Sequence, residues 1–296
     1  MSVLLMTVWL TGCVQEEFES TPSPAGNGIR FTLTVPDVNL PSVSSRTMTG
    51  TGTAKKEDEI ETVDILVFDM SKTPAVFLEW ASATEVTQDL ADNSTVSFSA
   101  VLSPTTASTC IVVVANKELD GIVSGFTKGV TTKVRAMEEM LHTQTGKWLA
   151  DGSTTGGYTR IPMYGEKVIS KITPSMNPIT DINMKRMLAR IDIRNNSVTS
   201  NFTVEEVYLA NYNTTGYIAP AWNTNGQVTE PAPDTPVLPT GSGKMTEEGN
   251  AILYSVNGNT PYDGEIYTFE SLAAGDAGGA GQDGEASRKD ATCLIV

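Results

Sequence analysis

Ile29, Phe31, Leu33 and Val35 alternate with Arg30, Thr32 and Thr34, and this two-residue period recurs along the chain. Strict alternation makes a half-buried β-strand, because successive side chains point to opposite faces of a sheet. "STVSFSAVL" repeats the pattern, with Val96, Phe98, Ala100 and Leu102 on one face. Two further runs are apolar on both parities: "IETVDILVFDM" (Ile60 to Met70) and "STCIVVVAN" (Ser108 to Asn116). Both faces of such strands must be covered, which predicts a central position for the first and a buried one for the β-branched second. "AVFLEWASA" is the expected neighbour of the first, "FTVEEVYLANYNTTGYIAP" is expected to give another strand pair, and "NAILYSVN", "GEIYTFES" and "ATCLIV" continue the series. One helix is expected over Thr132 to His142, with Val134, Met137 and Leu141 on its apolar stripe. Many short strands, turn residues between them and a single helix predict an all-β protein built from sandwiches.

In "ITDINMKRMLARIDIRNN" the period slips. Ile182 and Met184 share one face, Met187, Ala189, Ile191 and Ile193 share the other parity, and Arg186, Arg190, Asp192 and Arg194 point outward around Leu188. A slip at Lys185–Arg186 predicts a β-bulge. The prolines of "PSMNP" (Pro174 to Pro178) place a domain boundary, giving an N-terminal domain over 28–176 and a C-terminal domain over 177–296. The chain stops on apolar residues inside a strand, whereas chain ends usually fray at the surface. A continuation past Val296 is therefore expected.

The first residues read differently. Met1 to Gly12 carries no charge. It is too short to cross a bilayer, which takes about 20 apolar residues, and it has the size of a signal-peptide apolar core. Thr11 and Gly12 before Cys13 match a bacterial lipobox, in which the cysteine thiol is joined to diacylglycerol and the preceding segment is removed. This makes 1–12 a signal peptide and 13–27 a polar tether. The missing Lys or Arg at the start points to a beginning upstream of Met1. Cys110 and Cys293 lie in apolar runs and read as buried thiols, with a disulfide between them left open.

A net charge of −15 over 296 residues disfavours nucleic acid and anionic membrane as partners. A nucleophile needs an adjacent base, yet the single histidine, His142, is expected at a helix end. There is no G-x-S-x-G motif. "EDEIE" (Glu57 to Glu61) reads as a charged strand entrance, "GGAGQDGEA" lacks a calcium-roll repeat, and "GSTTGG" lacks the Lys-Ser/Thr of a phosphate loop. No catalytic residue, metal ligand or cofactor is assigned. Trp80, Trp148 and Trp222 offer one alternative, a glycan-binding surface lipoprotein that stacks aromatic rings on sugars.

Taken in order, the lipobox, the first strand, "SSRTMTG", "IETVDILVFD", "CIVVVANKE", "MKRMLARIDIRN" and "VEEVYLANYNTTGYIAP" resemble the Bacteroidales fimbrillin superfamily, the FimA- and Mfa-like subunits of type V pili. The acidic "QEE" after Cys13 is similar to the surface-export tag of Bacteroidetes lipoproteins. The resemblance implies two transthyretin-like β-sandwich domains, the second incomplete here, and export to the outer-membrane surface as a lipoprotein. It implies that a trypsin-like protease cuts in the loop 37–58, after Arg46 and before Thr47. The first strand, with Ile29, Phe31, Leu33 and Val35, would then leave, and a strand of another fimbrial subunit would fill its groove. If Arg46 stays intact, Cys13 instead keeps the protein on the membrane as an anchor. Physical chemistry agrees with such an exchange. "SVSSRTMTGTGT" is rich in the residues of nicked loops, and a bared sheet invites an added strand.

Overall fold

The computed structural model describes residues 29–34, 58–88, 95–144, 146–148, 160–174, 176–192, 206–231, 233, 236–240, 251–255, 265–271 and 292–295. Cys13, Val35, Arg46 and Thr47 lie outside the described residues, as do the signal, the tether and all of the 37–58 loop except Asp58.

Two sheets face each other. The first has four strands: β1 (Ile29–Thr34), β4 (Thr84–Gln88), β5 (Thr95–Ala100) and β9 (Ile179–Asn183), in the order β4-β5-β1-β9. The second has five: β2 (Val63–Asp69), β3 (Val76–Ser82), β6 (Thr109–Ala115), β8 (Met163–Ile169) and β10 (Lys185–Arg186), in the order β10-β8-β6-β2-β3. Ile29, Phe31 and Leu33 interdigitate with Val96 and Phe98 of their own sheet and with Ile65, Val67, Ile111 and Val113 of the facing one. This is the packing of a β-sandwich.

The other face of the five-stranded sheet is covered too. Leu66, Phe68, Cys110, Val112, Val114 and Tyr164 pack under Ala136, Met137 and Met140 and under Trp148, Ile218 and Phe269. Two covered faces explain why β2 and β6 lack alternation: every residue of β6 is buried, and so is all of β2 except its last.

The helix is shorter than its sequence stripe. It follows the four-residue α1 (Asp120–Val123), and α2 spans Lys133–Glu139, capped by the Thr132 hydroxyl, which accepts from the Arg135 N–H at 3.2 Å. Leu141 and His142 leave it for β7 (Leu141–Thr143), which pairs with β13 (Thr215–Tyr217). Ladder bonds to β13 thus outcompete one more helical turn. The buried stripe is Lys133, Ala136 and Met137, with Met140 following, rather than Val134, Met137 and Leu141.

The phase slip at Lys185–Arg186 is not a bulge. The chain crosses from the first sheet (β9) to the second (β10) and then to a third sheet, where β11 (Ala189–Asp192) pairs with β15 (Glu265–Thr268). β9 and β10 lie beyond the boundary expected at 177 but pair with strands of the N-terminal half. The β7–β13 sheet likewise joins the two halves. β12 (Glu206–Ala210) runs between β14 (Ile252–Ser255) and β16 (Cys293–Ile295) and does not pair with β13. Val207, Leu209, Tyr212, Ile252 and Ile266 form the separate core of this half.

Candidate functional site: the seat of the first strand

β1 is an interior strand, with β5 on one side and β9 on the other. Its pairing to β5 is antiparallel and unbroken over six positions, from Ile29↔Ala100 to Thr34↔Thr95. Its pairing to β9 is parallel, has three positions (Phe31↔Ile179, Leu33↔Ile182, Thr34↔Asn183) and shifts register between Phe31 and Leu33. Asp181, at φ 59°, absorbs that shift. Beyond β1, the Met184 N–H donates to the Thr34 carbonyl at 2.9 Å.

The three inward side chains are almost fully covered: Ile29 is 3% exposed, Phe31 1% and Leu33 0%. Phe31 lies flat on Phe98, with centroids 4.9 Å apart and planes 6° from parallel. Burial of this size stabilises by about 1.5–3 kcal/mol per side chain. Without β1, β5 and β9 would lose their common neighbour, and an apolar trough with unpaired N–H and C=O groups would open between them.

The chain beyond the 37–58 loop is tied down by side chains rather than by a ladder. Gln88 donates from Nε2 to the Asp58 carbonyl at 2.7 Å and accepts from the Ile60 N–H at 3.1 Å. Asn116 donates from Nδ2 to the Glu59 carbonyl at 2.8 Å and accepts from the Glu61 N–H at 3.0 Å. Arg160 reaches Glu59 at 3.3 Å and Glu61 at 2.5 Å, and Arg186 pairs with Asp58. Asp58, Glu59 and Glu61 of the acidic run thus clamp the start of β2. Arg160→Ala is expected to cost about 1 kcal/mol, as for a partly exposed pair. Amide exchange should quicken at residues 58–62 and stay slow in β6; equal protection in both would rule the clamp out.

A second cluster ties the halves together. The fully buried Lys133 pairs with Glu166, which is 16% exposed. Glu166 also accepts from the Tyr164 hydroxyl at 2.7 Å and from the Val228 N–H at 2.9 Å. Burial and the neighbouring carboxylate hold the Tyr164 phenol well above its usual range. Burial first of all pushes the Cys110 thiol up to about 11, which makes it a poor nucleophile.

Cys110 and Cys293 are both free, and only Cys110 is buried. The edge position of β16 leaves Cys293 in the open. In a chain carrying Cys13→Ser, one thiol should react with a maleimide under native conditions and a second only after unfolding. Two fast thiols would contradict the buried position of Cys110.

His142 sits in β7 beside the rings of Trp148 (5.0 Å) and Phe269 (6.4 Å). Burial lowers its pKa, so it is a neutral packing residue and not a helix-end polar group. The three tryptophans that sugar stacking would use pack into the same apolar cluster on the five-stranded sheet, Trp148 buried, Trp80 on β3 and Trp222 partly buried. Among the described residues no three His, Cys, Asp or Glu side chains come together as metal ligands, and no helix is long and apolar enough to cross a membrane.

The family model of the major fimbrial subunit protein (FimA) matches residues 29–285, beginning at the first residue of β1. The chain belongs to the FimA family of major fimbrial subunits. That family is one of structural subunits that assemble with other subunits at the cell surface. No curated protein matches the chain by sequence. A solved protein of Parabacteroides distasonis assigned to cell adhesion shares the fold: TM-score 0.51 and 14% identity, over 85% of this chain and 73% of that one. A fimbrial assembly protein of the same organism is also similar, with TM-score 0.41 and 14% identity over 83% of this chain and 78% of that one. The all-β reading and the fimbrillin resemblance both hold for this subunit.

Proposed function

We propose that the chain is a structural fimbrial subunit acting in cell adhesion and built into the fimbria by strand exchange. It travels to the outer membrane as a lipoprotein on Cys13. A trypsin-like protease cuts after Arg46, β1 leaves with the lipid, and an extended segment of another subunit takes its seat. The two halves, divided near Arg186, act as two sandwich domains. The observation that carries this reading is the interior place of β1 in its sheet. An edge strand could leave without consequence, but loss of β1 separates β5 from β9 and bares the faces that Ile29, Phe31 and Leu33 cover. The polar loop after β1 and the clamp at 58–62 support it further, because the clamp can hold the new end of β2 after the cut.

The adhesion role draws on the Parabacteroides distasonis relative, and the lipid and protease steps draw on the sequence around Cys13 and Arg46. The test is the N-terminus of the protein recovered from the cell surface. Fimbrial material should begin at Thr47 and carry no lipid. Protein that begins only at a lipid-bearing Cys13 would overturn the exchange and make the chain a membrane-retained anchor.

A further inference from the structure

We propose that the β1 seat selects its occupant by direction and by a central ring: a strand of another subunit that runs as β1 runs and lays an aromatic side chain flat on Phe98. The proposal rests on the strand-exchange reading and adds what the seat demands of the incoming strand.

Direction follows from the two flanking ladders. β1 is antiparallel to β5 and parallel to β9, so any strand in the seat is antiparallel to one neighbour and parallel to the other. Antiparallel pairing is the more stable per residue. A strand running as β1 does places it on the unbroken six-position ladder of β5. A reversed strand would place it on the β9 side, where register shifts and Asp181 adopts a positive φ.

The central ring follows from the side chains opposite. Ala100 faces Ile29, Phe98 faces Phe31 and Val96 faces Leu33. The end positions therefore face small or branched aliphatic groups. The middle position faces a ring that is 3% exposed and stacked within 6° of parallel. An aliphatic side chain there leaves part of the Phe98 face uncovered, and stacking adds to the area buried. The alternate positions Arg30 and Thr32 are half-exposed and Thr34 is exposed, so the outward side chains carry little of the selection.

The test uses the full chain with a specific protease site inserted between residues 47 and 57, so that cutting does not depend on Arg46. The cut segment is released in mild denaturant, and the protein is refolded with one of three synthetic peptides. These are GIRFTLTV, the same peptide with Phe31→Ala, and the reversed order VTLTFRIG. Peptide Kd and the Tm of each complex are read. The Phe31→Ala peptide should bind about 100-fold or more weakly than GIRFTLTV, and the reversed peptide about tenfold or more weakly. In a Phe98→Leu chain the penalty for the alanine peptide should shrink severalfold, as for coupled neighbours. Equal binding of the phenylalanine and alanine peptides, or an unchanged penalty in Phe98→Leu, overturns the ring requirement. Equal binding of the reversed peptide, with a spin label on its N-terminus found at the Thr34 end of the seat, overturns the direction; a label found at the Ile29 end shows a strand that runs as β1 runs and upholds it. Laddering of the cut chain without peptide is scored separately. A chain that ladders but shows no peptide preference sinks the selection rule and leaves exchange standing. Preference without laddering does the reverse, and failure of every peptide to restore the fold overturns both.

Discussion

Phe31→Ala is expected to destabilise the uncut chain by about 3–5 kcal/mol, the cost of emptying a large, rigid core site. Phe31 is 1% exposed and stacked on Phe98, and the facing residues Ile65, Val67, Ile111 and Val113 sit in strands fixed on both faces. Collapse into the cavity is therefore limited, which keeps the cost near the upper end. Denaturant unfolding by circular dichroism measures it. Thr32→Ala, on the half-exposed side of the same strand, should stay within about 0.5 kcal/mol of the parent. Similar values for the two variants would mean that β1 is not held by its inward face. The contrast bears on the proposed exchange: the contacts that hold β1 in the uncut chain are the ones an incoming strand would have to reproduce.

Glu166→Ala is the second large effect, at about 3–5 kcal/mol. It leaves the fully buried Lys133 ammonium without its carboxylate, and an uncompensated buried charge is among the costliest single changes. It also strands the Tyr164 hydroxyl and the Val228 N–H. Lys133→Met should cost clearly less, because Glu166 keeps both of those donors and is partly exposed. The double variant Lys133→Met with Glu166→Ala should be less destabilised than the sum of the singles. A strictly additive result would show that the pair is not coupled. Gly226 fits the same cluster. Its φ is +78°, and a Cβ there would stand 3.0 Å from Lys133 Cγ. The turn that holds Gly226 and Val228 thus docks directly on α2 and β8, which ties the C-terminal half to the N-terminal sandwich through Glu166.

Much of the sandwich could be read from the residues, because its signals are local. Alternation identifies β1 and β5, and runs apolar on both parities identify β2 and β6. β8 was not legible. "MYGEKVI" has a glycine and a glutamate in its middle, which break the pattern of a buried strand. Both have causes that lie elsewhere in the chain. A Cβ on Gly165 would meet Met184 Sδ at 2.7 Å and Ile182 Cγ2 at 2.8 Å. Glu166 is a charge at a covered position because Lys133, some thirty residues away, answers it. The pairing of β9 and β10 with β1 and β8 is hidden for a similar reason. The parallel pairing of β1 with β9 joins distant segments, and "PSMNP" marks only a turn before β9. Cys293 was misread because an apolar run says nothing about whether its strand lies inside a sheet or at its edge.

The candidate site divides in the same way. The inward residues of β1, Ile29, Phe31 and Leu33, are legible from period two alone. The interior position of β1, on which the proposed exchange rests, follows only from the sheet order. Asn116, Gln88 and Arg160, which fasten the start of β2, carry no sequence signal, since each acts on backbone or carboxylates far along the chain.

Whether β1 is a replaceable strand is decided by digesting the purified chain with an Arg-specific protease, followed by electrophoresis in SDS without boiling, beside an Arg46→Ala control. The cut chain should give a regular ladder of SDS-resistant multimers, and the control a single band at matched digestion. A cleanly cut chain that stays monomeric, with residues 29–34 still bound, would contradict the proposed exchange.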